Sequence, residues 1–594
     1  MRLLDVLFVA YIVVVAYGVG GRVLTWMRPP YIEDWRGRGV FAVGLGLAVI
    51  SYLVFFLGIL ALLYKWSIIS LLFLLSIIAF WRNPAIRKRK EGKNYIPYEL
   101  LIFLPWFIMV LLTVLPPPID WDGLAYHLAV PKLYLLHHKI YWVKFIHHSN
   151  FPFLMEMLYT IPLSLGLTDA CKLFHFTFAL LIMWLLYLQF AEDNKIGGIL
   201  ALLFLTQMVL FSWESTIAYN DLAFSFYVLL SLIAFVRGEI LLSGLAIGLA
   251  MGTKHLAISF LITFCLLLPF YKNGKFNLRK DYKSILHDIG ILLLPAILLA
   301  LPWYLKSYIY TGNPVYPFFY ELFGGKYWSK EAASAYREAQ LSIGTGRNIL
   351  SFILLPWNLT FHPGKFFDPG ANPYFVLIGP AFLAFLPLLF LEPFYFAFIA
   401  LSCIQWFLLS QNIRYALPIL VVLPLPLVKR LLRLWRRPFS IIVLSLLLVS
   451  YLVHLFIFGL MMYPTWKVVL GLEEKDEFIQ SVFPTYNVYK FINENLPKEA
   501  KIALLGEPRG FYLDREYIWA DPGHHTLIPY EKFKTPQDML LFYKKMGFSY
   551  VLVNRRFARG NPQSSKPIDK FLLNPYIYSE EVYNYDDVYL FKIK

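Results

Sequence analysis

The chain has 594 residues, a length that would accommodate three or four soluble domains. Its composition excludes that organisation, because 59% of the residues are hydrophobic and only 15% are charged, whereas a soluble domain carries about 25% charged residues. The net charge of +16 does not indicate nucleic-acid binding, because residues 464–594 contain 18 basic and 17 acidic residues and much of the excess lies in short loops between apolar runs.

Apolar runs long enough, or nearly long enough, to cross a bilayer predict an all-α polytopic membrane domain of about 13 to 14 spans over residues 1–463. The first run, within residues 3–24, is not followed by an A-x-A cleavage pattern, so it predicts a retained span rather than a signal peptide. The sequence therefore predicts a multi-pass protein of the cell membrane.

Four clusters of Lys and Arg predict cytoplasmic loops, because short cytoplasmic loops are enriched in these residues. They lie at residues 22–38, 82–93, 272–283 and 429–437. The spans between them pair evenly only if residues 151–166 form an interfacial or re-entrant helix instead of a full crossing. This topology places the loops 116–150 and 306–373, and the tail 464–594, on the extracytoplasmic side.

The polar tail, 464–594, predicts a small soluble α/β domain, because strand patterns alternate with helix patterns. It contains no cysteine, so it offers no disulfide framework. The predicted strands are Lys501–Leu505, Ser549–Val553 and Val588–Ile593, and the predicted helices are Tyr486–Asn495 and Pro536–Met546, the second with Thr535 as its N-cap.

The first large external loop contains the sequence D-W-D-G-L-A-Y-H-L-A-V-P-K at 120–132. Asp120 and Asp122 precede leucines at near-helical spacing, which predicts an amphipathic helix on the membrane surface. A carboxylate held there can act as a general base toward an acceptor hydroxyl, or hold a divalent cation such as Mg²⁺ or Mn²⁺ against a phosphate. Two solvated aspartates that cap the helix are the alternative.

A second acidic position is Asp221, which follows Asn220 at the outer end of a predicted span, with Glu214 close by in sequence. Carboxylates in or beside the membrane are energetically costly, so their presence indicates a function. An N-cap role for Asn220 or Asp221 is the competing interpretation.

Two groups of basic residues also occur at the outer ends of predicted spans. Lys254 and His255 lie in the turn M-G-T-K-H, and Arg414 and Tyr415 lie in Q-N-I-R-Y-A-L-P. Lys and Arg pair strongly with phosphate oxygens, which predicts binding of a lipid-linked phosphate or diphosphate. Snorkelling toward outer-leaflet headgroups is the alternative.

Histidines are concentrated in the first external loop, as His137, His138, His147 and His148 with His127 nearby. Their spacing matches no diagnostic metal-ligand pattern, so the sequence leaves a metal unassigned and a divalent cation only possible. No nucleotide-binding motif occurs in a convincing context either.

These motifs, in their order along residues 95–430, resemble the GT-C superfamily of integral-membrane glycosyltransferases, and most closely its protein O-mannosyltransferase and lipid A aminoarabinose transferase branch. The resemblance is carried by the acidic pair with Y-H-L-x-x-P-K, and by FPFLMEMLY, YNDLAF, GLAIGLAMGTKH, TGNPVYPFFYELFGG and RYALP. It implies transfer of a sugar from a polyprenyl-phosphate donor to a protein, lipid or glycan acceptor at the outer face, among membrane lipids and without nucleic acid.

The resemblance also implies roles for individual residues. Asp122, with Asp120 as the other choice, occupies the position of the catalytic acid, and the D-W-D sequence in place of the D-E of some relatives leaves that choice open. The donor phosphate would be held by Lys254 and Arg414 with Tyr415, and the supporting residues would be Tyr126, His127, Lys132, Asp221 and His255. The three spans before the core have no counterpart in the resemblance.

A transporter or flippase of a lipid-linked or small polar substrate is the alternative from another class. Transporters often contain internal repeats and charged residues near the bilayer midplane. This sequence shows no such repeat, and its charged motifs gather at one predicted face, which favours the transferase. An inactive GT-C scaffold is a third hypothesis, and the presence of Asp122, Lys254 and Arg414 argues against it.

Overall fold

The computed structural model describes residues 2–29, 37–81, 97–272, 275–278, 281–368, 372–436 and 438–594. The predicted cytoplasmic loop at 82–93 lies outside the described residues, as do Arg36, Arg279, Lys280 and Arg437 from the other basic clusters. The charge pattern that predicts the topology is therefore only partly described.

Within the described residues, seven helices are long and apolar enough to cross a membrane, and seven more apolar helices have 10–17 residues. The long helices are Leu3–Met27, Arg38–Ile59, Ala170–Ala191, Tyr282–Thr311, Pro373–Leu391, Ile413–Arg433 and Phe439–Val469. The shorter ones are Lys65–Phe80, Tyr98–Val114, Lys195–Thr206, Asp221–Val236, Ile240–Thr253, Ala257–Phe270 and Pro393–Leu409. The prediction of a mainly helical, polytopic membrane protein is confirmed.

Further short helices connect these elements and build the C-terminal part. They are Ala129–Leu136, Leu154–Ser164, Val209–Glu214, Tyr320–Phe323, Lys330–Ser342, Ile349–Ile353, Leu355–Phe361, Lys475–Val482, Thr485–Asn495, Pro536–Lys545, Pro567–Leu573 and Pro575–Tyr578. A two-stranded hairpin joins β1 (Tyr271–Lys272) to β2 (Lys275–Phe276).

The contacts divide the chain into two compact units. The first, called here the helical unit, comprises Met1–Pro116, Pro152–Trp303 and Arg337–Trp466. The second, called the sheet unit, comprises Pro117–Phe151, Tyr304–Tyr336 and Lys467–Lys594. The acidic loop and the tail thus belong to the same unit, although about 315 residues of sequence lie between Phe151 and Lys467.

The first two helices of the helical unit pack backbone against backbone. A Cβ atom added to Gly46 would lie 1.8 Å from the Ala16 carbonyl oxygen, and one added to Gly20 would lie 1.8 Å from the Ala42 carbonyl oxygen. Only glycine permits this approach, and small residues at helix interfaces are typical of membrane proteins, where packing replaces the hydrophobic effect.

Residues 151–166, predicted to be interfacial or re-entrant, contain the helix Leu154–Ser164. Its 11 residues are fewer than the ~20 that a perpendicular crossing requires. Most of its side chains are buried, and it packs against Arg38–Ile59 and Ala170–Ala191. It is therefore an internal element of the helical unit.

The sheet unit contains a five-stranded mixed sheet in the order β4-β3-β5-β7-β6. Its strands are β3 (Lys501–Leu505), β4 (Glu516–Trp519), β5 (Tyr550–Asn554), β6 (Ser579–Tyr585) and β7 (Val588–Ile593). Strand β3 runs parallel to its two neighbours, β4 and β5, and β7 runs antiparallel to β5 and β6. The predicted α/β domain is confirmed, but β4 and β6 were missed, because edge strands are short or polar and lack the apolar alternation of central strands.

The helix Pro536–Lys545 begins as its sequence predicts. The Thr535 hydroxyl accepts a hydrogen bond from the Asp538 backbone amide, and the Asp538 carboxylate accepts one from the Thr535 amide. This reciprocal capping box satisfies two of the amides that a helix N-terminus leaves without partners.

Candidate functional site

The acidic loop leads into a distorted helix. Trp121 and Asp122 form its first turn, Gly123–His127 is a π-helical turn, and an α-helix follows over Ala129–Leu136. Isolated π-helical turns are rare and occur frequently at functional sites. Asp122 therefore lies within the first helical turn, and Tyr126 and His127 lie in the π-helical turn that follows it.

The first leucines of this helix are not exposed as those of a surface helix would be. Leu124 and Leu128 are fully buried, although their spacing predicted a helix on the membrane surface, whereas Leu136 at its end is exposed. The tertiary structure accounts for the difference, because the segment 507–514 of the tail covers the helix within the sheet unit.

One contact of that segment holds the residue between the two aspartates. The Arg509 guanidinium lies 4.2 Å from the centre of the Trp121 ring and 4.3 Å from that of Phe483. Its Nε atom donates to Glu507 Oε1 over 2.6 Å, and the Glu507 carboxylate is fully buried. The stacked and paired arginine fixes the position of Trp121, because a guanidinium plane is rigid in both interactions.

Lys132 provides a second contact. Its Nζ atom donates to the Phe511 carbonyl oxygen over 2.7 Å and pairs with Asp514 Oδ1 at 2.6 Å. Burial lowers the pKa of Lys132, and the Asp514 carboxylate opposes that shift. The Tyr512 hydroxyl donates to the Pro118 carbonyl over 2.8 Å. The structure thus places Lys132 as an anchor of the acidic helix.

A cluster of aromatic and imidazole rings lies in the same unit as Asp122. The His147 and His148 ring centres are 3.8 Å apart, and His148 stacks on Tyr126 at 4.1 Å with an interplanar angle of 5°. Trp328 lies 5.0 Å from His147, and Trp519 lies 6.3 Å from His148. These four segments are distant in sequence, so only the tertiary structure brings them together.

The second histidine pair of the loop takes no part in this cluster, because His137 and His138 are exposed. Sequence analysis also missed the tail residues His524 and Trp519, whose rings lie 5.3 Å apart, and Tyr336, which lies 5.5 Å from His147. The third His-His pair of the sequence, His524–His525, was the one signal that could have pointed to the tail.

Burial keeps these imidazoles neutral. It lowers the pKa of His148 to about 4, while the negative charge of Asp122 acts in the opposite direction. Burial also lowers the pKa of His147 well below its ordinary value, and His148, His524 and His525 lower it further. At neutral pH the imidazoles of His147 and His148 are therefore uncharged.

Several buried polar atoms of this cluster have no hydrogen-bond partner among the described residues. They are both ring nitrogens of His147, Nδ1 of His148, both side-chain polar atoms of Asn150 and Nε1 of Trp328. Leaving one such atom unsatisfied costs about 1–3 kcal/mol, so most buried polar groups in proteins have a protein or water partner.

The described residues contain no group of three or more His, Cys, Asp and Glu side chains arranged to hold a metal ion.

In the helical unit, the structure brings the other predicted residues together. Lys254 Nζ pairs with Asp221 Oδ1 at 2.5 Å, and Arg414 Nη2 pairs with Asp221 Oδ2 at 3.2 Å. Arg414 Nε also lies 3.3 Å from Glu214 Oε1. Two cations and two carboxylates from four separate segments thus form one buried ionic cluster, here called the ionic cluster.

Aromatic rings complete the ionic cluster. Lys254 Nζ lies 4.6 Å from the ring centre of Tyr415, and the Arg414 guanidinium lies 4.4 Å from that of Tyr219. The Lys254 side chain is 17% exposed, compared with 5% for Arg414 and none for Asp221. Lys254 is therefore the more accessible of the two cations. His255 follows it in the turn and is half-buried.

Asn220 and Asp221 do not cap the helix Asp221–Val236 with their side chains, as the competing interpretation had it. The Asn220 side chain makes no capping bond; its Nδ2 atom donates to Glu156 Oε1 over 3.0 Å. His175 Nε2 instead accepts from the Leu222 backbone amide at the start of the helix. Both Asp221 oxygens are thus directed to cations.

The fold and these clusters define a polytopic membrane protein with buried acidic and basic groups and an α/β domain. No family model matches the sequence, and no curated protein matches it. Two solved structures of ArnT from Cupriavidus metallidurans are similar in fold, one bound to undecaprenyl phosphate and one in the apo state. Each is 12% identical, with a TM-score of 0.48, over 83% of this chain and 97% of the other. At this identity and TM-score, the likeness assigns no role to any side chain of this protein.

Proposed function

We propose that the protein is a membrane glycosyltransferase that moves a sugar from a polyprenyl-phosphate-linked donor to an acceptor at the extracytoplasmic face. The observation that carries the proposal is the convergence of three separate sequence motifs in the ionic cluster. Asp221, Lys254 and Arg414 are far apart in the chain, yet the charged groups of Lys254 and Arg414 both lie within 3.2 Å of the Asp221 carboxylate.

Lys254 is the residue proposed to bind the donor phosphate. Its ammonium group has three N–H donors, of which one is directed to Asp221, and its side chain is partly exposed. Asp221 and Tyr415 hold it in place. Arg414, which is paired with two buried carboxylates, contributes positive charge and keeps those carboxylates compensated.

Asp122 is proposed to be the general base. It is half-buried in the first turn of the distorted helix. Arg509 stacks on the preceding residue, Trp121, and Lys132 anchors the helix that follows. Asp120 is also half-buried and stays the second candidate.

The proposed reaction is a single displacement. The acceptor hydroxyl oxygen attacks the anomeric carbon while the bond between that carbon and the phosphate oxygen breaks. The electron pair of that bond leaves with the polyprenyl phosphate, and the acceptor proton passes to Asp122 and then to water. Attack from the face opposite the leaving group inverts the anomeric carbon, and no covalent enzyme intermediate forms.

The decisive experiment incubates the purified protein in liposomes with a panel of undecaprenyl-phosphate-linked sugars labelled in the sugar. We expect release of undecaprenyl phosphate together with a labelled product for one donor. Mass analysis of lipid that copurifies with the protein identifies the sugar to test first. Absence of release from every donor, with a protein shown to be folded, would contradict the proposal.

The proposed side of the membrane is tested separately. Cysteine introduced at Ser564 should react with an impermeant reagent added from outside, and cysteine introduced at Lys88 should not. Equal reaction at both positions would contradict the predicted topology, in which the tail is extracytoplasmic and the basic loop at 82–93 is cytoplasmic.

A further inference from the structure

Four charged side chains of the helical unit meet where two candidate spans end. Glu392 directly follows one of these spans, and three cations lie at the end of the other, Ile413–Arg433. Lys429 Nζ lies 2.7 Å from Glu392 Oε2. Arg430 Nε and Arg433 Nη1 lie 2.6 Å and 3.4 Å from Oε1 of the same carboxylate. The three cations and the carboxylate are called here the Glu392 cluster.

The Glu392 cluster keeps an excess of positive charge that is open to its surroundings. Three cations and one carboxylate leave two positive charges without compensation within the cluster. The Glu392 side chain is only 6% exposed, whereas Lys429 and Arg433 are 43% and 55% exposed. These two cations are four residues apart in the helix Pro424–Arg433, so they lie on the same face of it.

The two open cations also have hydrogen-bond donors to offer. Among the described residues, Lys429 and Arg433 each make one side-chain hydrogen bond, to Glu392. An ammonium group has three N–H donors and a guanidinium group has five. Arg430 is held more firmly, because it also donates to the Leu391 carbonyl oxygen. Lys429 and Arg433 can therefore bind the oxygens of a phosphate, the anion that Arg and Lys pair with most strongly.

Apolar side chains beside the charges indicate that the ligand has apolar chains as well. Phe390 and Leu391 precede Glu392, Leu434 follows Arg433, and all three are exposed. The ring centre of Tyr395 lies 5.9 Å from Lys429 Nζ, and tyrosine is enriched where membrane meets water. A free phosphate would use the cations but not this apolar surface, whereas a phospholipid uses both.

The Glu392 cluster is separate from the ionic cluster that contains Arg414. Fifteen residues of the span Ile413–Arg433 lie between Arg414 and Lys429, which corresponds to ~22 Å along a helix. The two clusters are therefore at opposite ends of one span. The basic residues at 429–437 predict the cytoplasmic end, and the cytoplasmic leaflet is the one whose anionic lipids attract basic segments.

We propose that the Glu392 cluster binds the phosphate headgroup of an anionic phospholipid in the cytoplasmic leaflet. Lys429 and Arg433 donate to the phosphate oxygens, Glu392 holds the cations together, and the acyl chains pack on the exposed apolar residues beside them. Snorkelling is an incomplete account, because a snorkelling side chain needs no carboxylate, whereas three cations here converge on one enclosed carboxylate. Basic pockets between spans are typical sites for such headgroups.

The double variant Lys429→Gln with Arg433→Gln tests the site. It removes both open charges and leaves the Arg430–Glu392 pair, so the unfolding midpoint in detergent without added lipid should stay near that of wild type. Native mass spectrometry of the full chain, titrated with phosphatidylglycerol, should show an affinity about 30-fold lower, since each cation near a headgroup contributes a factor of about five. Binding of phosphatidylcholine should not change.

The matched control is the double variant Lys283→Gln with Arg436→Gln. Both positions are exposed and lie in predicted cytoplasmic loops, so the control removes the same charge without touching the Glu392 cluster. Its affinity for phosphatidylglycerol should stay within about twofold of wild type. Equal losses in the two double variants would overturn the site, because they would show attraction to the whole basic surface. Unchanged affinity in both would overturn it as well.

Two further measurements fix the ligand and guard against misfolding. Undecaprenyl phosphate carries a phosphate on a different lipid, and a loss of its binding in Lys429→Gln with Arg433→Gln while phosphatidylglycerol binds normally would overturn the phospholipid assignment. Glu392→Gln leaves three cations without a carboxylate, so its unfolding midpoint should fall in phosphatidylcholine nanodiscs and recover in phosphatidylglycerol nanodiscs. Equal midpoints of this variant in the two lipids would contradict the proposal. None of these readouts depends on sugar transfer.

Discussion

The ionic cluster of the helical unit and the histidine cluster of the sheet unit bury polar groups of different kinds. In the helical unit, Asp221 is paired with Lys254 and Arg414, so buried charge is compensated within the protein. In the sheet unit, the nitrogens of His147 and Asn150 are buried without partners among the described residues, and His147 is uncharged. A buried charge requires compensation by an opposite charge, whereas a buried neutral polar group without a partner has a smaller desolvation cost.

This difference predicts different effects of mutation in the two clusters. Removal of one member of the ionic cluster should lower stability strongly, because it leaves a buried charge uncompensated. Removal of a buried neutral polar group without a protein partner should lower stability less. Lys254 is the intermediate case, because it is both paired and partly exposed.

The largest effect is expected for Asp122→Asn. Asparagine keeps the shape but cannot accept a proton at neutral pH, and loss of a general base lowers the rate by about 10²–10⁴-fold. Transfer by the purified variant should fall by that factor, with unfolding midpoint and donor binding unchanged. Asp120→Asn is the control and should lose less. Near-normal transfer by Asp122→Asn would move the base to Asp120.

Arg414→Ala should mainly reduce stability. It leaves the carboxylates of Asp221 and Glu214 with less compensation, and breaking a buried ion pair costs about 3–5 kcal/mol. Denaturant unfolding of the purified protein measures the loss. Lys490→Ala is the control, because its pair with Asp476 is 40% and 45% exposed and such pairs contribute about 0–1 kcal/mol. Equal losses for both variants would contradict the structural role of the ionic cluster.

Lys254→Met should weaken donor binding more than stability. A charge-assisted contact to phosphate contributes roughly 1.5–3 kcal/mol, equivalent to about a 10- to 150-fold rise in the apparent donor KM. The rise should also appear in binding of undecaprenyl phosphate without a sugar. A normal KM combined with a large loss of stability would show that Lys254, like Arg414, only compensates Asp221.

The smallest effect is a pH dependence of stability from the sheet unit. The pKa of His148 is about 4 in the folded protein and about 6.5 in an unfolded chain. Between these values the unfolded chain binds more protons, so the free energy of unfolding falls as pH falls from about 6.5 to about 4. Burial raises the pKa of Asp521 to about 6, which acts in the opposite direction, so variants must be compared with wild type at each pH.

His148→Gln tests this pH dependence. The loss of unfolding midpoint between pH 6.5 and pH 4 should be smaller in the variant than in wild type, and the two should run parallel above pH 7. His137→Gln, at an exposed position, should behave as wild type. A variant with an unchanged slope would show that His148 is not held neutral by burial.

Local patterns predicted the elements whose signals are local. The long apolar runs predicted the helices, and the short apolar and β-branched runs at Lys501–Leu505 and Val588–Ile593 predicted strands with those bounds. Thr535 predicted the helix start as an N-cap for the same reason, and the structure adds Asp538 as its partner in a capping box. The polar edge strand Ser579–Tyr585 was missed, since its place in the sheet depends on pairing with β7.

The sequence also singled out chemically active residues without showing their partners. Asp221, Lys254 and Arg414 were each predicted to be functional, but their mutual pairing required three distant segments to meet. Lys132 was predicted to support the site, and its bond to Asp514 spans 382 residues of sequence. No local pattern encodes such a distance.

The sequence by itself determined the class of protein, since apolar content and charge placement depend on composition and order alone. It also identified the carboxylates and cations that are candidates for the site, among them Asp122, Lys254 and Arg414. Only the tertiary structure decided that His147 and His148 are buried while His137 and His138 are exposed, and that the tail covers the acidic helix. The physical reason is that burial and pairing depend on which distant segments pack against a residue in the folded chain. Two His-His pairs with the same local sequence therefore do not reveal which of them is buried.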